Sequence, residues 1–242
     1  MKKIFSRSLI ALSIALLAPQ AAFAQQETAP FCERIVNHEE AVHADFDMSE
    51  TSRASFEKQQ DEALVESRQK QDETFASTRL DTDAQFSTYI VTLRQKAGKN
   101  TLKLAAIDAF ENTVIESRRV FRLAAVDIIE TFRGSMDKLI KERRESFTKA
   151  ETTRRTNFDA AITTAKDACA KDTSSKEAES SLKTILLGVR DVFRNEIKQI
   201  ETTARLTHRA AIDTRKDTLT KARDLRKQAV EAGADELRTS WK

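Results

Sequence analysis

Two cysteines and three histidines are the residues of this chain whose types and spacing could support chemistry. His38 and His43 lie in NHEEAVH, which resembles the zinc motif H-E-x-x-H but separates the histidines by five positions instead of four. On a helix this spacing turns the second ring about 140° away from the first, so the two cannot bind one metal ion. Glu39 and His43 share a helix face, which is typical of an ordinary surface pair. The sequence therefore predicts no metal site.

The other patterns of catalytic proteins are also missing from the sequence. No serine or cysteine lies in a nucleophile context, the cysteines do not form C-x-x-C, and there is no glycine-rich phosphate loop. We therefore expect no enzyme, no cofactor and no catalytic or cofactor-binding residue. His208 falls among apolar residues at helical spacing, and we predict a half-buried core histidine there.

Turn-forming residues are scarce, with four glycines and two prolines in 242 residues. Strands joined by turns need such residues, so the sequence predicts an all-α fold. Gly98 can end a first helix and Asn100 can cap a second, while Ser174 and Glu177 have the spacing of a capping box that begins a third. We expect these helices to fold antiparallel into an elongated helical bundle or coiled coil. The predicted helices span about 30–98, 101–171 and 175–240.

The N-terminal segment 1–24 has the pattern of a secretory signal peptide. Basic residues precede a short apolar run at 9–18, and small residues precede a cleavage point after Ala24. Residues 25–242 would then form a single three-helix bundle, exported to the periplasm, the cell surface or the medium. The apolar run is too short for a membrane span, so we expect no integral membrane anchor after cleavage.

Net charge argues against a nucleic-acid partner. The predicted signal peptide contains three of the 41 basic residues and none of the 38 acidic ones, so residues 25–242 carry no net charge. A protein that neutralises phosphates needs a basic excess. Residues 25–99, 100–171 and 172–242 carry −6, +3 and +3. This charge asymmetry favours pairing of the helices within one chain. The alternative is that the charges only keep three helix surfaces soluble.

The two cysteines fall at matching depths of the predicted hairpin. Cys32 precedes Asn100 by almost the same number of positions as Cys169 follows it. An exported protein can form and keep a disulfide, so we predict a Cys32–Cys169 bond. Two unpaired thiols are the alternative.

Apolar residues recur every 11 positions. Eleven residues make three turns at 3.67 residues per turn, which predicts a nearly straight seam of packed side chains. In the third helix this seam comprises Leu186, Ile197, His208, Leu219, Val230 and Trp241. The predicted core layers are Phe110 with Val91 and Leu237, Phe121 with Leu80 and Leu225, Phe86 with Ile115 and Val230, and Phe147 with Phe56 and Ile200. Charged residues crowd the expected core at 47–73 and 141–157, where we expect thin packing.

Three functional classes fit these patterns. The principal expectation is an exported helical-rod protein with a structural, spacer or interaction role in the envelope or at the cell surface, acting on a protein partner. As a spacer it would make its contacts at its two ends: the base around Cys32 and Cys169, and a tip that comprises Gly98, Leu102, Leu104 and Trp241. One alternative is a periplasmic holdase chaperone or adaptor that binds clients along its thinly packed middle.

A second alternative is a lipid-surface protein, because amphipathic helices with 11-residue repeats also lie on membranes. Against this class, Lys and Arg are scattered among acidic residues around the helices. The sequence leaves a homo-oligomer open.

Overall fold

The computed structural model describes residues 30–171 and 174–242, and this part of the chain is helical with no strand. The predicted signal peptide, residues 1–24, lies outside the described residues. The helix bounds differ from the predicted ones by at most one residue. The three helices are α1 Phe31–Ala97, α2 Thr101–Ala170 and α3 Ser175–Thr239.

The predicted capping residues explain where the helices begin and end. Gly98 adopts a positive φ of 61°, which a residue without Cβ tolerates, and this ends α1. The side chain of Asn100 accepts a hydrogen bond from the backbone amide of Lys103 at 3.1 Å, so it caps α2. The Ser174 hydroxyl accepts one from the amide of Glu177 at 3.3 Å at the start of α3.

The chain divides into two compact units, each built from parts of all three helices. The first unit comprises the described residues of Met1–Lys58 and Glu151–Arg194, and the second comprises Gln59–Ala150 and Asn195–Lys242. Each unit has a hydrophobic core of its own. The first core contains Ile35, Phe158, Ala161, Ile162, Ala165 and Leu182. The second contains Ile90, Ala97, Ile107, Phe110, Val114 and Leu237.

The 11-residue seam of α3 is present, because none of its six predicted residues is exposed. Phe110 and Leu237 share the second core, and Phe86 and Val230 pack against it. The layer around Phe121 is wrong, because Leu80 is 72% and Leu225 is 68% exposed.

The errors have one geometric cause. Val91 and Ile115 are also exposed, whereas their preceding neighbours, Ile90 and Val114, are in the second core. A shift of one residue rotates a helical side chain by about 100°, so a register that is wrong by one residue moves a side chain from the core to the surface.

Candidate functional site

The predicted contact tip lies in the second unit and divides into buried and exposed parts. Leu104 and Trp241 pack against the second core, and Lys103 places its Nζ 4.8 Å from the centre of the Trp241 ring. Gly98 is exposed at the end of α1. Leu102, in the first turn of α2, is 77% exposed. Of the three large apolar residues of the predicted tip, Leu102 is therefore exposed, while Leu104 and Trp241 are packed against the core.

Cys32 and Cys169 form a disulfide in the first unit, with their Cα atoms 5.7 Å apart. The bond joins the first turn of α1 to the last turn of α2. It is the pairing that the matching depths predict. The bond closes a long loop, with a sequence separation of 137 between the two cysteines, and such a loop restricts the unfolded chain strongly.

In the first unit, His43 lies beside a carboxylate and an aromatic ring. Its Nε2 lies 3.1 Å from Oδ1 of Asp159, and its ring meets Phe158 edge to face. His38 is a separate case, because burial and the nearby Arg34 guanidinium lower the pKa of His38. Within residues 30–171 and 174–242, no group of three or more His, Cys, Asp or Glu side chains is placed to hold a metal ion.

His208 is half-buried in the second unit, where the sequence places it. Burial, and then the positive charge of Arg215, lower the pKa of His208. The Arg215 guanidinium stacks on Phe132, 4.1 Å from the ring centre, and burial lowers the pKa of Arg215. His208 is therefore favoured as a neutral, half-buried side chain near the half-buried cation of Arg215.

The largest feature that the sequence analysis missed is an ion-pair ladder between α1 and α2 in the second unit. Successive rungs recur on both helices at the spacing of the apolar repeat, and nitrogen–oxygen distances are 2.6–2.9 Å. The guanidinium of Arg122 holds the pKa of Asp83 below its usual range, and Arg133 does the same for Asp72. The four rungs are Asp61–Arg144, Asp72–Arg133, Asp83–Arg122 and Arg94–Glu111.

The last rung has its charges reversed, since α1 contributes the cation there. The same spacing of the α2 positions continues into the first unit, where Arg155 binds Asp47 at 2.7 Å and Lys166 binds Glu39. A search for charged residues at the apolar repeat distance would have found this pattern in the sequence.

Arginine–phenylalanine stacks join α2 to α3. In the second unit the guanidinium of Arg226 lies 5.5 Å from the ring centre of Phe121, and that of Arg215 lies 4.1 Å from Phe132. The two rings, like the two arginines, are separated by one period of the apolar repeat. In the first unit the roles are exchanged, because α2 provides Arg154 and it stacks 4.8 Å from the ring centre of the α3 residue Phe193.

The outer face of α2 in the second unit carries exposed apolar side chains. We call this surface the outer strip; its residues are between 39% and 59% exposed. They lie within 12 positions of one helix and are interleaved with charged side chains. The outer strip comprises Ile115, Val120, Leu123 and Val126.

A shallow cavity of about 290 Å³ also lies in the second unit. Leu64 of α1 and Ile140 of α2 provide its apolar lining. Charged residues complete the lining, namely Asp61, Asp137, Lys141, Arg144 and Glu145. This cavity overlaps the stretches in which we expected thin packing.

None of the helices in the described part of the chain is long and apolar enough to cross a membrane.

Comparison with protein-family models, with curated proteins and with solved structures yields no match for this chain.

Proposed function

We propose that this chain is an exported helical protein with a structural, spacer or interaction role in the envelope or at the cell surface, and that it acts by binding a protein partner without turnover. In this proposal the three helices form one elongated antiparallel bundle, and the tip of α1 and α2 carries the contact. The Cys32–Cys169 bond supports export, because disulfides persist in oxidising compartments.

The rungs of the ion-pair ladder support the antiparallel arrangement of α1 and α2. From Asp61 to Arg94 the residue numbers rise along α1, and those of their partners fall from Arg144 to Glu111 along α2. Such an order is expected when two helices run in opposite directions.

One observation carries the proposed binding role: Leu102 is 77% exposed, whereas the other two large apolar residues of the tip, Leu104 and Trp241, pack against the second core. A leucine side chain contributes about 1.5–3 kcal/mol when it is buried, and in the first turn of α2 this free energy is not used within the chain. A partner that covers Leu102 would gain part of it. Exposed single leucines are common, so the role needs a direct test.

The test compares variants of the full chain, expressed with its own N-terminal segment and cross-linked to envelope proteins in intact cells. We expect Leu102→Ser to reduce the cross-linked product strongly. Leu225→Ser, at an equally exposed position of the second unit, is the matched control and should leave the product unchanged. Equal yields from both variants, each shown to be helical by circular dichroism, would contradict a contact at the tip.

The cavity lined by Leu64 and Ile140 favours a second candidate function, a holdase that binds unfolded clients. Clients need apolar surface next to charged residues that keep the complex in solution, and this cavity offers both. Replacing Leu64 and Ile140 by Ser should then abolish suppression of client aggregation, measured by light scattering, while Leu102→Ser should not. The opposite result would favour the spacer or interaction role.

A further inference from the structure

We propose that the outer strip of α2 is a second docking site, which binds an amphipathic helix of a partner protein whose apolar face is bordered by lysine or arginine. The outer strip lies further along α2 than Leu102, and its surroundings define the chemistry of the partner. It rests on the interaction role proposed above, but its test uses purified protein and known peptides.

The outer strip faces away from the contacts that α2 makes with its neighbours. The neighbouring residues Phe121 and Arg122 make the contacts with the other helices. Arg122 binds Asp83 of α1, and the guanidinium of Arg226 of α3 stacks on Phe121. Leu123, the central residue of the outer strip, is nevertheless 59% exposed. Val120, Leu123 and Val126 follow one another at three-residue spacing and form a patch with Ile115 at its edge, whereas a single exposed apolar residue would need no explanation.

The charges around the outer strip select the partner. Exposed carboxylates of Glu116, Asp127 and Glu130 border the four apolar side chains. The one exposed cation among them, Arg119, is engaged by Glu116 through two hydrogen bonds of 2.6 and 2.8 Å. The border is therefore acidic, and it complements a partner with lysine or arginine beside its apolar residues.

The same charges disfavour two other occupants. A second copy of this chain, docked strip to strip, would bring the carboxylates of both copies together, and like charges across an interface are costly. An anionic lipid surface would also be repelled by the acidic border.

The length of the outer strip indicates a helix as the bound element. The distance from Ile115 to Val126 corresponds to about 16 Å along α2 at about 1.5 Å per residue. Three turns of a partner helix cover this distance with apolar anchors at positions i, i+4, i+7 and i+11. A peptide that binds by strand addition would need a sheet edge to pair with, and no strand is present in residues 30–171 and 174–242.

The probes are two fluorescent helical peptides of about five turns each. Both present the same leucines on one face, and they differ only in having lysine or glutamate on either side of that face. We expect the lysine peptide to bind the purified, disulfide-bonded chain in fluorescence anisotropy, the glutamate peptide to bind at least about tenfold more weakly, and added salt to reduce the difference.

Variants locate the binding. Leu123→Ser combined with Val126→Ser should lower the affinity for the lysine peptide about tenfold or more. Leu206→Ser is the matched control, since Leu206 is an equally exposed leucine on α3. Asp127→Lys with Glu130→Lys should shift the preference towards the glutamate peptide. All four residues replaced in the test variants are exposed, so the variants are expected to keep the thermal unfolding temperature of the parent chain.

Several results would overturn the inference. Equal binding of both peptides, binding of neither, or binding that is unchanged by the Leu123 and Val126 substitutions would each do so. A dimer in sedimentation that the same substitutions dissociate would assign the outer strip to a second copy instead. Flotation with anionic liposomes that depends on Leu123 would assign it to lipid. None of these results bears on cross-linking at Leu102, so failure here leaves the proposed function standing.

Discussion

Within the second unit, α1 and α3 share one buried core with α2, but their charged side chains contact α2 in different ways. The α1–α2 ion pairs include carboxylates that are about half exposed, such as Asp61 and Asp72. At the α2–α3 contact, arginines of α3 stack on phenylalanine rings of α2 instead. Exposed ion pairs contribute at most about 1 kcal/mol each, whereas a buried large side chain contributes about 1.5–3 kcal/mol. The ladder therefore chiefly selects which residues of α1 and α2 meet, and the buried core shared by all three helices supplies more of the stability.

The largest expected effect comes from the buried core that α2 shares with α1 and α3. Phe110→Ala removes a ring that is 7% exposed, and we expect it to lower the free energy of unfolding by about 3–5 kcal/mol because a cavity remains. Ile115→Ala, at an exposed position further along α2, should cost less than about 0.5 kcal/mol. Urea unfolding measures both values. Similar losses for the two variants would show that the core is not where the structure has it.

Opening the disulfide tests how far α1 depends on a covalent link to α2. Replacing Cys32 and Cys169 by Ser should lower stability by about 2–4 kcal/mol, because the unfolded chain regains the freedom of a long loop. Thermal unfolding with and without a dithiol reductant gives the same comparison on the parent chain. Two free thiols in the oxidised parent, detected by mass spectrometry, would contradict the bond itself.

Gly233 marks a close approach of α3 to α2. A Cβ at this position would lie 3.2 Å from Cγ2 of Thr113 and 3.5 Å from Cδ2 of Phe110. We therefore expect Gly233→Leu to cost about 1–3 kcal/mol by overpacking. Gly134→Ala is the matched control: a Cβ there meets no atom within 4 Å, so a gain of up to about 1 kcal/mol is expected from helix propensity. Chemical denaturation distinguishes the two signs.

The smallest effect should come from one rung of the ladder. Asp72→Asn removes the carboxylate whose pKa is lowered by its hydrogen bond to Arg133, and we expect a loss below about 1 kcal/mol. A lowered folded pKa stabilises the protein above the unfolded pKa, and this contribution disappears as the pH falls through the folded pKa.

The cost of Asp72→Asn should therefore vanish in strong acid and shrink at high salt, while the cost of Phe110→Ala should persist in salt. Denaturation in parallel salt and pH series tests this difference. A salt-independent cost for Asp72→Asn would contradict the assignment of the ladder to screened surface electrostatics.

The helix bounds and caps follow from the sequence because they depend on local residues. The cysteine pairing follows because it depends only on the distance of each cysteine from one turn. Gly98, Asn100 and Ser174 act as their residue types predict. To predict the core layers, the rotation of each helix about its axis must be known to within one residue. Neither the positions of the turns nor the composition gives that accuracy. The predicted layer around Phe121 therefore contains Leu225, whereas the structure has Arg226 on that ring.

The exposed side chain at the tip and the ion-pair ladder were harder to predict for a related reason. Leu102 and Leu104 are indistinguishable by type and differ only in which side of α2 they occupy. The ladder was missed because its members are charged, and a search that follows apolar residues passes over a repeat formed by Asp61, Asp72 and Asp83.

The reversed charges of the Arg94–Glu111 rung affect how α1 and α2 can be aligned along the repeat. A series of identical rungs is matched again whenever one helix moves by a full period, so identical rungs cannot distinguish one alignment from the next. With Arg94 in its place, moving α1 by one period along α2 sets Arg94 against Arg122 in one direction and Asp83 against Glu111 in the other. Each misalignment therefore contains one repelling pair, and this single inverted position makes a periodic pattern unique.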